Sequence, residues 1–110
     1  MIRSMLFIPG NSPSMLQNAD THRADALILD LEDAVSPDQK DAARVLVRRA
    51  VQTLGFDGCK LIIRINPIDT AYCEADIRAM VPLKPRMIMP TKVGCAETVQ
   101  RVSAMVGDAE

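Results

Sequence analysis

The sequence predicts an α/β fold built on a parallel sheet. Two observations carry that expectation. A short apolar run, a polar turn and a helix-like stretch recur four times along 110 residues, the pattern of consecutive βα units. In the second and third runs one face is wholly apolar, and the other turns polar only towards the C-terminal end. A parallel sheet under helices is apolar on both faces. Charges that break this rule at strand C-termini sit where α/β barrels and open α/β sheets place their sites.

The first run, Ser4-Met5-Leu6-Phe7-Ile8, is closed by Pro9-Gly10-Asn11, and a short helix is expected from about Pro13, capped by Ser12 or Asn11. The second run is Ala26 to Glu32. After it, Ser36-Pro37-Asp38-Gln39 reads as a helix start, with Ser36 capping, Pro37 at the first helical position and Gln39 closing a capping box. Ala43, Leu46, Val47, Ala50 and Leu54 then share one helical face, and Gly55 ends the helix. The third run, Lys60 to Asn66, stops at Pro67, and a helix is expected from about Glu74 to Met80. The fourth run, Arg86 to Met89, leads into Pro90-Thr91-Lys92. The last helix is expected from about Cys95 to Met105 with Ala96, Val99 and Val102 inward.

Composition excludes several classes. The 13 basic and 14 acidic side chains leave a net charge of −1, and the aromatic residues are only Phe7, Phe56 and Tyr72. Neither a basic face nor a stacking set for nucleic acid follows from that. Cys59, Cys73 and Cys95 form no C-x-x-C pair and are odd in number, so reduced, buried thiols in a cytoplasmic protein are expected rather than a disulfide framework. The N-terminal apolar run is too short for a signal-peptide core, and no run of about 18 apolar residues exists to span a membrane.

Alternation along the strands sets out the candidate site. Leu27, Leu29 and Leu31 share one face of the second run; Ile28, Asp30 and Glu32 share the other. Leu61, Ile63 and Ile65 oppose Ile62, Arg64 and Asn66 in the third. Asp30, Glu32, Arg64 and Asn66 are therefore expected on the face away from the helices, with Glu32 and Arg64 near its C-terminal rim. Charges there are costly without partners or a ligand. An internal ion pair of Arg64 with Asp30 or Glu32 is the plain structural alternative, and Asp33 alone also reads as a helix cap or a solvated turn residue.

The blocks Arg3-Ser4-Met5-Leu6-Phe7-Ile8-Pro9-Gly10-Asn11, Ala24-Asp25-Ala26-Leu27-Ile28-Leu29-Asp30-Leu31-Glu32-Asp33-Ala34-Val35 and Ile63-Arg64-Ile65-Asn66, in this order and spacing, resemble citrate lyase β subunits of the HpcH/HpaI aldolase and citrate lyase family. The likeness covers essentially the whole chain. It implies that residues 1–110 are the N-terminal half, about four βα units, of a TIM-type (β/α)8 barrel. It also implies a Mg²⁺-dependent carbon–carbon lyase that cleaves citryl- or malyl-type acyl thioesters by a retro-Claisen reaction. By the resemblance Arg64 binds the substrate's carboxylate and carbonyl oxygen. Glu32 and Asp33 act near the metal through its water ligands, and Arg64, Asn66, Pro9 and Gly10 contact substrate or its thioester carrier.

The family's direct metal ligands, a Glu on the fifth strand and an Asp on the sixth, are expected beyond residue 110, so the chain alone is expected to be inactive. The carrier would be coenzyme A or an acyl-carrier protein, and the full-length protein a homo-oligomer without nucleic-acid or membrane partners. The family's fourth strand commonly ends Leu-Pro-Lys. Here Thr91 is interposed between Pro90 and Lys92, which leaves the place of Lys92 open. Two other readings stand beside this one. A receiver-like signalling domain would share the βα repeat and a Leu29-Asp30-Leu31 strand, but Pro9-Gly10-Asn11 replaces its first-strand acidic pair. A non-catalytic half-barrel assembly module would need a partner to cover its sheet edges.

Overall fold

The computed structural model describes residues 4–17, 24–32, 35–54, 60–85, 87–91 and 96–109. Four strands alternate with four helices: β1 (Met5–Pro9), α1 (Pro13–Gln17), β2 (Ala26–Asp30), α2 (Lys40–Leu54), β3 (Lys60–Arg64), α3 (Ala71–Met80), β4 (Met87–Met89) and α4 (Ala96–Ala109). The strands form one parallel sheet in the order β1-β2-β3-β4. This is an unclosed half-barrel of four βα units, as the repeat predicts.

Register arranges the face away from the helices in rows. Phe7, Ile28, Ile62 and Met87 lie side by side, and one step further along each strand come Pro9, Asp30, Arg64 and Met89. The opposite face carries Leu6, Ile8, Leu27, Leu29, Ile63 and Ile88, which join the main core with Ala43, Val47, Cys73, Ile77 and Met80 from the helices. At the N-terminal ends Ser4 and Asp25 lock the first two strands reciprocally: Ser4 N–H donates to the Asp25 carboxylate (3.2 Å) and Asp25 N–H to Ser4 Oγ (3.1 Å).

Several local expectations are corrected. Pro37–Gln39 form a 3-10 turn, and the α-helix begins at Lys40. Ser36 makes no capping bond to the backbone. Its hydroxyl donates to Asp38 Oδ1 at 2.7 Å, because the acid two residues on competes for it. The third helix begins at Ala71, three residues early, and the last runs on to Ala109. On α4 only Val102 is buried, while Val99 is 49% exposed. Val99 faces a groove of about 920 Å³ between α4 and the β4 edge instead of the core.

On the face away from the helices, Ile28 and Ile62 are each only 1% exposed, with Ala26 and Met89 packed on them. The wet apolar surface falls on the flanking Met5, Phe7 and Met87. Cys73 is a free, buried thiol; Cys59, Cys95 and Gly55 lie outside the described residues. Among the described residues no helix is long and apolar enough to cross a membrane.

Candidate active site

The sheet's polar end is built around Arg64, the last residue of β3. Its guanidinium lies between two acidic groups, one at the end of β2 and one two residues past it. Nε is 3.8 Å from Asp30 Oδ1, and Nη2 is 3.6 Å from Glu32 Oε1. Both separations exceed hydrogen-bond length, so the planar fork of N–H donors is attracted to these carboxylates without being committed to them. The Arg64 side chain keeps 24% of its surface, whereas Asp30 and Glu32 are almost fully covered. On the third side the Phe7 ring sits 5.6 Å from Arg64 Cζ, within reach of a cation–π attraction that also limits the side chain's swing. Arg64 is thus ion-paired with both acids, as the plain structural alternative expects, at separations longer than hydrogen bonds.

Leu31, Glu32 and Val35, which follow β2, are held by backbone bonds. Glu32 N–H donates to Asp30 Oδ1 (2.9 Å), and Val35 N–H to the Glu32 carbonyl (3.1 Å). Leu31 N–H bonds the Arg64 carbonyl (3.0 Å), which extends the β2–β3 pairing one residue past the strand. Asp33 and Lys92 lie outside the described residues.

Pro9 shares its row with Asp30 and Arg64 and is half-buried on the rim. Gly10 is buried, and its N–H is spent on the Asp30 carbonyl at 2.8 Å. A Cβ there would come within 2.7 Å of that same oxygen. Close approach of two backbones thus accounts for glycine at this position.

Asn66 is the site residue whose placement departs from the alternation. Its N–H and Nδ2 both donate to Asp76 Oδ2, at 3.1 and 2.6 Å, and Asp76 belongs to the inward face of α3 with Cys73 and Ile77. β3 ends at Arg64, and Pro67, having no N–H for a ladder, turns the chain off the sheet towards α3. The amide is thereby drawn to the helix layer rather than set beside Arg64. Asp76 also accepts from Arg44 Nε on α2 at 2.9 Å, so one buried carboxylate ties α2, α3 and the end of β3 together.

Thr91, noticed in the sequence only as an interruption, is buried and donates its hydroxyl to the Ile65 carbonyl at 2.9 Å. Phe7, Asp76 and Lys40 were not singled out by sequence reasoning. A signal for the last two was present: Asp76 sits within the 73-76-77-80 stripe and Lys40 opens the 40-43-47-50 stripe, apolar helical faces on which a charge stands out.

A family model described as HpcH/HpaI aldolase/citrate lyase matches residues 3–110. The chain belongs to this family. Among relatives of the aldolase/citrate lyase family, the citrate lyase subunit beta of Leuconostoc mesenteroides subsp. cremoris is 42% identical over 108 residues, covering 98% of this chain and 36% of its own length. A (3S)-malyl-CoA thioesterase of Cereibacter sphaeroides is 39% identical over 106 residues, covering 96% and 37%. The Mycobacterium tuberculosis protein CitE, solved with magnesium, acetoacetate and coenzyme A, superposes with a TM-score of 0.69 at 29% identity, over 90% of this chain and 35% of that one. The chain therefore spans little more than a third of these family members.

Magnesium prefers hard oxygen ligands in a near-octahedral set and gives up its waters reluctantly. Asp30 and Glu32 offer such oxygens, but both face Arg64. No group of three or more acidic, His or Cys side chains that could hold a metal ion occurs among the described residues. The described residues do not by themselves make a metal site.

Proposed function

We propose that this chain supplies the substrate-anchoring half of a Mg²⁺-dependent lyase that cleaves citryl- or malyl-type acyl thioesters. The observation that supports this best is Arg64: a half-shielded guanidinium at a strand C-terminus, flanked by carboxylates beyond hydrogen-bond length and braced by Phe7. An arginine held this way presents a planar donor fork to an incoming carboxylate.

In a retro-Claisen cleavage the substrate's hydroxyl loses a proton and the adjacent carbon–carbon bond breaks. The hydroxyl carbon becomes a ketone or aldehyde, and the bond's electron pair passes to the thioester fragment as an enolate, which is then protonated. Arg64 would bind the substrate's carboxylate and offset charge on the carbonyl oxygen as the bond breaks. Glu32 and Asp33 would hold water ligands of the ion rather than the ion itself, and Pro9 and Gly10 would form the rim towards the thioester carrier. Asn66, bonded to Asp76, would serve by fixing the end of β3. When bound, Mg²⁺ supplies Lewis acidity to the reacting oxygens.

By the family likeness, its direct ligands would come from fifth- and sixth-strand positions beyond residue 110. The carrier would be coenzyme A or an acyl-carrier protein, and the full-length protein a cytoplasmic homo-oligomer. The test is Mg²⁺-dependent cleavage of malyl-CoA and citryl-CoA by the full-length protein. Arg64→Lys should lower kcat/KM by about 10²- to 10³-fold, as for loss of a donor to a developing charge. Unchanged turnover in that variant would refute the assignment of Arg64. The 110-residue chain by itself should show no such cleavage.

A further inference from the structure

We propose that Lys40 is a positioning residue for the acidic loop, fixing the backbone from which Glu32 reaches Arg64. The inference rests on the reading of Arg64 and Glu32 given above. Lys40 opens α2 and is 9% exposed, an unusual degree of cover for a lysine. Its Nζ donates to three carbonyls of one loop: Leu31 at 3.2 Å, Glu32 at 2.9 Å and Val35 at 3.0 Å. An ammonium has three N–H donors and no acceptor, so the loop takes up its whole capacity. The Tyr72 ring on α3, 5.8 Å away, adds an aromatic face to its surroundings.

The consequence is geometric. With the carbonyls of Leu31 and Glu32 both turned to Lys40, the peptide planes on either side of Glu32 are fixed. The Glu32 N–H then meets Asp30 Oδ1 at 2.9 Å, and its carboxylate lies 3.6 Å from Arg64 Nη2. The three bonds of Lys40 all go to the backbone of this loop. The side chain acts through the loop, and the loop cannot rearrange without leaving a buried ammonium short of acceptors, which is strongly unfavourable. A rigid perch for Glu32 matters because small displacements of a reacting constellation cost rate steeply.

The test compares Lys40→Met and Lys40→Gln with Val102→Ala, a buried substitution on α4 remote from the site, in the full-length protein. Turnover of malyl-CoA and amide hydrogen exchange at residues 31–36 are read together. The expected result is a kcat lowered by about 10- to 100-fold with KM changed far less, the pattern of lost transition-state positioning, and faster exchange at Leu31 and Glu32. Val102→Ala should lose stability while keeping both values. A Lys40 variant that is less stable but keeps kcat and loop protection would overturn the proposal, reducing Lys40 to a packing residue. If neither variant folds, the Lys40 ammonium resonance of the unmodified protein decides. Slow proton exchange there supports the three-bond clamp; exchange as fast as that of a surface lysine overturns it. Arg64→Lys run in parallel separates the two failures. If that variant too keeps full activity, the site reading itself has failed; if it is impaired while the Lys40 variants are not, only the clamp has.

Discussion

Replacing Gly10 with alanine tests how the first strand meets the second. An added Cβ would lie 2.7 Å from the Asp30 carbonyl oxygen, and 3.1 Å from both Leu31 Cδ2 and Val47 Cγ2. The two methyls can give a little. The carbonyl cannot, because it belongs to an inner strand and accepts the Gly10 N–H at 2.8 Å. Relief therefore requires β1 to move off β2, stretching that bond. Overpacking costs about 1–3 kcal/mol and a weakened net hydrogen bond about 0.5–1.5 kcal/mol, so Gly10→Ala should lose roughly 2–4 kcal/mol of stability.

In a full-length chain the urea slope lies at or above the roughly 1–3 kcal/mol per molar of small proteins, so the midpoint should fall by about 1 M. Gly107→Ala is the control. Nothing lies within 4 Å of its added Cβ, and within α4 the change should gain about 0.5–1 kcal/mol by restricting the unfolded chain. Far-UV circular dichroism in urea reads both in the full-length protein. A Gly10→Ala midpoint equal to the parent's would refute the packing argument, and a raised KM beside it would leave the rim as the reason for glycine there.

Asp76→Ala should cost about 1–3 kcal/mol, since it leaves the buried Asn66 amide without its acceptor and the part-buried Arg44 with Asp41 as its remaining carboxylate; an unchanged midpoint on the same urea assay would contradict the hub. Burial, then the negative charge of Asp76, raises the Cys73 thiol above its ordinary value of 9.0, against a smaller lowering by Arg101. The thiol should resist alkylation at pH 8. Because the folded state keeps a proton that the unfolded state releases, this contribution to stability is complete below about pH 9 and is lost as pH rises through the raised folded value. Rapid labelling of native Cys73 would argue against it. Expressed alone, the 110-residue chain should self-associate through the free edges of β1 and β4 and the exposed Met5, Phe7 and Met87; a monodisperse monomer in sedimentation, melting cooperatively, would count against that.

What the sequence determined by itself was the repeat and its polarity. Period-2 apolar runs, Pro and Gly breaks and helix-period stretches specify four βα units, because each unit must bury one apolar face and its connections are short. The same alternation placed Asp30 and Arg64 on one face; the register then sets them side by side.

Tertiary structure alone decided the rest. Asn66 obeys the pleat only while the strand lasts, and a carboxylate ten residues downstream takes its amide instead. Whether Ile28 and Ile62 are wet depends on which side chains close over them, which no periodicity encodes. Lys40 reads as a surface residue from its type and as a core residue from its spacing; three carbonyls brought together by the loop's path settle the matter. Local pattern sets which face a side chain favours. Its hydrogen-bond partner is set by what the remainder of the chain brings within about 3 Å, because hydrogen bonds act only at that range and depend on direction.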